Sequence, residues 1–328
     1  MNRIKLLFNL WLAAKLILIP VNVFSENYYS MANGKWSNSE TWFCTSSPHK
    51  TLNAKDTVII NHHLILDQEL KNFGATLIIK PKASLNSKEN SIRLTHNGKI
   101  LNNGTISLYH LILTQGATYN GKGTLITEKD LFINGYIVFH ADGPCRIGRN
   151  LIINYQNKSL VCDAEVVFNH FLEVKNDIAA GYLSNNEFNG KTVINGSIIS
   201  LQGTTCFSGD ILVKGSENVI NYSDYIYISG KINFANDISL VNSKVYISGQ
   251  FTSDKDIIVS GKITEIRNFG IVSSKNHFIF NQGIMYNFGT LTDNLIIASN
   301  AHLVDNKLYQ QNYLNTVKDK NTVQSTEK

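Results

Sequence analysis

The chain is poor in residues that staple, interrupt or charge a fold: its 328 residues include four cysteines, four prolines and only 17% Asp, Glu, Lys and Arg. Four cysteines, Cys44, Cys145, Cys162 and Cys206, are too few for a disulfide scaffold. An exported chain could pair them in three ways, of which a bridge between Cys145 and Cys162, close enough in sequence to lie on adjacent coils, is preferred, and four buried free thiols are the alternative. The scarcity of proline, with Pro81 and Pro144 at apparent corners, suits a sheet whose inner strands keep their amide donors. Helical spacing of apolar residues is almost absent, and past residue 25 no apolar run is long enough to span a bilayer.

Residues 1–25 read as a signal peptide, with basic Arg3 and Lys5, an apolar stretch from Leu6 to Phe24, and the small residue Ser25 closing it. Asn9 and Lys15 interrupt that stretch and favour a removed leader over a retained anchor. Removal of Arg3, Lys5 and Lys15 lowers the formal charge from +5 to +2. The four remaining arginines are scattered, so the electrostatic footprint of a nucleic-acid binder is missing. The expected destination is the cell surface or the extracellular space.

What is present is glycine at a regular step. Gly190, Gly209, Gly230, Gly249, Gly270 and Gly289 are separated alternately by 19 and 21 residues, with Gly104 to Gly123, Gly116 to Gly135 and Gly196 to Gly215 on the same step. Similar wording surrounds them, as in Tyr227-Ile228-Ser229-Gly230-Lys231-Ile232 and Tyr246-Ile247-Ser248-Gly249-Gln250-Phe251. A period near 20 residues with short apolar runs defines units that cannot bury their own faces and must stack. The fold expected is all-β: a right-handed parallel β-helix of about 20 residues per coil and roughly 12 coils, three faces to a coil. Inward stacks are expected at Ile228, Ile232, Ile247 and Phe251, and a positive φ is the reason expected for the corner glycines. Asn-Gly pairs such as Asn97-Gly98, Asn120-Gly121, Asn134-Gly135, Asn189-Gly190 and Asn195-Gly196 offer antiparallel hairpins as the rival, but hairpins would not preserve one ladder across six glycines. Residues 26–55, polar apart from Trp36 and Trp42, are expected to cap the first coil, residues 56–304 to form the helix, and 305–328 to be a polar disordered tail.

The stretch Gly34-Lys35-Trp36, Trp42, then Asp56-Thr57-Val58-Ile59-Ile60-Asn61-His62-His63-Leu64-Ile65-Leu66-Asp67 resembles the opening of secreted bacterial β-helix proteins and of the eight-glycine domain. His63 stands where that pattern commonly has glycine. Leu101-Asn102-Asn103-Gly104-Thr105-Ile106 and Asn287-Phe288-Gly289-Thr290-Leu291 are similar to repeats of filamentous-haemagglutinin-type adhesins. These resemblances imply a right-handed β-helix outside the cell with an adhesive or glycan-contacting role. They imply neither catalysis nor a cofactor.

Candidate chemistry is sparse. His62, His63 and Asp67 form the densest ionisable cluster, but strand alternation leaves only His63 and Asp67 on one side for a metal. The rival is a pair of surface residues. Polysaccharide lyases and hydrolases of this fold need carboxylates on neighbouring coils, which draws attention to Asp142 and Asp163 with Arg146 and Arg149, and to Asp237 and Asp256 with Asp254. The alternative for all of them is a solvated turn. Tyr227 with Tyr246, and Phe269 with Phe288, repeat at one coil's spacing: an outward stripe would stack sugars, and an inward one would be core, the arrangement expected here. The partner expected is a polysaccharide or a cell-surface glycan.

Overall fold

A computed structural model describes residues 25–43, 48, 52, 54–87, 92–153, 164–181, 184–291 and 294–305. Apart from Ser25 and Asp305, the latter ending the strand Ala301–Asp305, the segments expected to form the leader and the C-terminal tail lie outside them. Along the rest, alternation of apolar and polar residues sets the strands: in Thr57–Ile60 and Thr76–Ile79 every second residue is buried. Each short strand aligns parallel to its equivalent one coil on, and the chain is an all-β parallel β-solenoid of about 12 turns, roughly 20 residues each.

Its faces are three. A 14-stranded sheet runs from Asn27–Tyr29 to Ala301–Asp305, and a 13-stranded sheet from Gly34–Lys35 to Thr290–Leu291. The third face is divided into seven strands, from Leu70–Phe73 to Ile198–Leu201, and five, from Asn218–Asn221 to Leu295–Ile297. At the division the side chain of buried Asn218 replaces the backbone ladder. Its Oδ1 accepts from the Ile198 amide at 3.1 Å, and its Nδ2 donates to the carbonyls of Gly215 at 2.8 Å and Asp237 at 3.1 Å. No hairpin of the Asn-Gly kind joins these strands, since all the paired strands are parallel.

The interior is built of stacks. Ile228 lies opposite Ile247 and Ile232 opposite Phe251, all four buried as expected. An aromatic column continues the stack upstream, through Tyr119, Phe139, Phe168, Phe188 and Phe207 with centroids 4.6 to 5.7 Å apart. Each large apolar side chain so buried contributes about 1.5–3 kcal/mol before the cost of ordering it. At the N-terminal end Asn27–Tyr29 pairs with Thr57–Ile60 and Gly34–Lys35 with His63–Ile65. Trp36 and Trp42 are buried there edge to face, their indole nitrogens donating to the carbonyls of Pro48 and Trp36.

The reason for the glycine ladder differs from the one expected. Positive φ occurs at Gly116 and Gly135, but Gly190, Gly209, Gly230, Gly249, Gly270 and Gly289 do not have it. A Cβ at Gly209, Gly230, Gly249, Gly270 or Gly289 would instead fall well under 3.0 Å from the carbonyl oxygen of the preceding ladder glycine. At Gly190 the obstructing carbonyl belongs to His170, which takes a glycine's place in the column. Backbone rests directly on backbone at this corner. The amides of Ser248 and Gly249 both reach the Ile228 carbonyl, at 2.9 Å each, a pairing repeated by Phe269 and Gly270 on Ile247.

Candidate binding faces of the solenoid

His63 and Asp67 are engaged separately. The His63 Nδ1 lies 3.0 Å from Ser84 Oγ, while Asp67 accepts from the Ser37 amide at 3.0 Å and the Ser37 hydroxyl at 2.5 Å. No cluster of three or more His, Cys, Asp or Glu suited to a metal occurs among the described residues. Asp142 is exposed and accepts from Asn169 Nδ2 at 2.8 Å, and Arg146 reaches Glu173 at 3.9 Å on the outer face of the 13-stranded sheet. Asp163, the second carboxylate of that group, lies outside the described residues. So does Cys162. Cys145 is buried between Leu125 and Leu172 of the neighbouring coils, and burial pushes its thiol pKa up to about 12.

Acids one coil apart turn out to serve the corners. Asp237 Oδ1 accepts the Asp256 amide at 3.0 Å, and Asp256 Oδ1 accepts the His277 amide at 3.0 Å. The device recurs upstream, with the Asn150 amide on Asp130, the Asp177 amide on Asn150 and the Ser197 amide on Asp177, at 3.0, 3.2 and 2.7 Å. A side-chain oxygen thus takes the donor that the turn leaves without a strand partner. Asp256→Ala is expected to lower stability by about 1 kcal/mol, read by urea unfolding. An unchanged midpoint would deny the corner carboxylates this role.

Near that column the structure brings together residues that spacing did not. The buried Asp130 carboxylate holds Arg149 Nε at 2.9 Å, with His110 Nδ1 at 3.9 Å. Burial, helped by nearby Arg93 and Arg149, lowers the His110 pKa against the pull of Asp130.

Tyr227 and Tyr246 stand outside, correcting the expectation that they stack in the core. Tyr227 is 40% exposed, and it lies between buried Ile226 and Ile228, so alternation alone sends it outward. Phe269 and Phe288 likewise face solvent, stacked at 5.0 Å. Tyr227, Tyr246, Arg267 and Tyr286 are in register on four successive coils of the 14-stranded sheet, a stripe of which the spacing had shown only the first two. Tyr227 and Tyr246 stack at 5.3 Å, Tyr225 lies 6.0 Å from Tyr227, and Arg267 sits over both Tyr246 and Tyr286 while pairing with Glu265 at 2.6 Å. Lys244 covers Tyr225 at 5.1 Å. Because the ring faces are taken by one another and by cations, the stripe offers solvent mainly its edges and hydroxyls.

The 13-stranded sheet carries a concavity. A groove of about 600 Å³ follows the outward row Val193, Leu212, Asn233, Thr252 and Ser273, one residue from each of five coils. Lysines stand along its rims.

These features define the class of the molecule: a parallel β-solenoid with two distinct polar flanks. The chain matches no protein-family model, no curated protein and no solved structure.

Proposed function

We propose that the chain is an exported rod of the cell surface or extracellular space, structural and adhesive in role, which holds a polysaccharide against its flank in the manner of the adhesins its repeats resemble. The observation that carries this reading is the outward register of Tyr227, Tyr246, Arg267 and Tyr286. One hydrogen-bonding group is offered per coil, at the roughly 4.8 Å pitch of stacked strands. A polyhydroxyl chain laid along the rod meets such a comb repeatedly, and weak contacts add over its length.

The test is a glycan array probed with the protein, paired with product analysis of the same polysaccharides after long incubation with calcium. Binding without cleavage is expected. Converting Tyr227 and Tyr246 together to phenylalanine keeps the ring stack and removes the hydroxyls, so affinity is expected to drop about tenfold, at about 1 kcal/mol or less per lost hydrogen bond. Unimpaired binding by that variant would remove the stripe from the site. Shortened or unsaturated products would replace the reading with a lyase or hydrolase of the same fold.

A further inference from the structure

We propose that the groove on the 13-stranded sheet is a second site, selective for an acidic polysaccharide, a chain bearing carboxylate or sulfate groups. The inference rests on the glycan-binding reading above but uses a different face and different residues. Its basis is the placement of charge. Lys191, Lys214, Lys231 and Lys275, all exposed, line the groove, so that four of its five coils contribute one lysine each. The opposing carboxylates are two, Asp210 and Asp254, and Asp254 is already paired with Lys275 at 2.8 Å. Lys214 donates to Asn195 Oδ1 at 2.9 Å, a neutral partner that leaves its charge uncompensated. Neither Lys191 nor Lys231 forms an ion pair among the described residues.

The floor suits a sugar chain as well as the rims suit its charge. Val193 and Leu212 give an apolar step, and Asn233, Thr252 and Ser273 continue it with polar groups. Thr252 Oγ1 donates to Asn233 Oδ1 at 2.7 Å, with the Ile232 carbonyl 3.2 Å away, and Asn233 Nδ2 makes no hydrogen bond among the described residues. Five coils at the strand pitch span about 19 Å, the length of a few sugar units. Lysine is a compact charge on a flexible stem, and a row of them follows a repeating anion without demanding a fixed geometry. A flexible, solvated chain bearing one charge per unit meets these rims throughout, whereas a lone small anion meets one lysine at a time.

The experiment measures binding of the full chain to polygalacturonate and to its fully methyl-esterified form, two polymers that share a backbone and differ in charge. Wild-type protein is expected to bind the acid form, more weakly as salt rises, and to bind the ester at least several-fold less tightly. The triple variant K191Q/K214Q/K231Q is expected to lose about tenfold in affinity for the acid form, because each exposed ion pair is worth up to about 1 kcal/mol. These side chains are solvated, and an unchanged thermal melt identifies the loss as one of binding. Equal affinity for acid and ester, or an unchanged affinity in the triple variant, overturns the inference. Tighter binding of a polyadenylate probe than of polygalacturonate also overturns it, in favour of nucleic acid. Binding of neutral glycans with no preference for the acid form removes this site and leaves the proposed function standing, while failure to bind any glycan removes both.

Discussion

Gly249→Ala is expected to destabilise the solenoid by about 3 kcal/mol or more, the upper range for overpacking. The single added methyl would fall well under 3.0 Å from the Gly230 carbonyl oxygen. That oxygen belongs to the backbone of the next coil, which is held by ladders on both sides, so it has no cheap way to move. Valine at the same position would be worse. Asparagine distinguishes the two explanations of the ladder: it tolerates a left-handed backbone but has the same Cβ, so Gly249→Asn is expected to match alanine. Gly116 supplies the contrast. Its φ is +88°, and the nearest atom to an added Cβ is Asn97 O at 3.7 Å, so there the conformation is the constraint and space is not. Gly116→Asn is expected to cost about 1 kcal/mol. Urea unfolding followed by far-ultraviolet circular dichroism and by the fluorescence of Trp36 and Trp42 would measure all four, with each probe read separately because repeat folds need not unfold as one unit. If Gly249→Asn proved far milder than Gly249→Ala, the close-approach account would fail.

Acidification is expected to destabilise the N-terminal half of the rod through His96. This side chain is buried beside Phe73, its ring centroid 5.5 Å away, and its Nδ1 accepts the Gly98 amide at 2.9 Å. Burial holds its pKa at about 4, against an ordinary value of 6.5, with the Ala75 and Gly98 backbone pulling weakly the other way. The depressed value fixes the direction. Above pH 6.5 the imidazole is neutral in both states and its contribution is fully present. Between pH 6.5 and 4 the unfolded chain takes up the proton and the folded chain does not, so stability falls as pH falls, reaching a loss of about 3 kcal/mol below the folded pKa. Carboxylates titrate in part of this window as well, which makes the informative comparison His96→Asn. Asparagine can accept the same amide, as Asn102 does for Gly104 at 3.2 Å and Asn268 for Gly270 at 3.0 Å, and it does not titrate. The variant is expected to start lower at pH 7 because it fills less of the core, and to lose much less between pH 6.5 and 4. Parallel pH profiles for the two proteins would show that His96 does not carry the effect.

Much of the fold was legible because a solenoid writes its geometry along the chain. Each coil must return to the same corner, so Gly230, Gly249 and Gly270 recur at the coil length, and Ile228 and Ile247 recur as the stack beside them. The candidate faces were less so. Tyr227 and Tyr246 could be placed on a common row from their spacing, yet their side of the sheet follows only when Ile226 and Ile228 are assigned to the interior. Arg267 belongs to the same row but differs in type, and by interrupting the one-coil repeat it hides Tyr286, two coils beyond Tyr246, from a search for residues repeated on adjacent coils. Asp237 and Asp256 were open to two readings from spacing, a carboxylate pair or turn residues, and their hydrogen bonds to the amides one coil on place them at the turns.

The sequence by itself determined the repeat, the parallel stacking and the inward rows of Ile228, Ile232, Ile247 and Phe251, because these depend on periodicity, which a linear text records directly. Only the tertiary structure decided why the corner glycines are required, since the atom that excludes a Cβ at Gly249 lies on another coil 19 residues away. The same holds for the lysine groove. Lys191, Lys214, Lys231 and Lys275 keep no fixed spacing and alternate between two rims, so they become one surface only when the coils are laid side by side at the strand pitch.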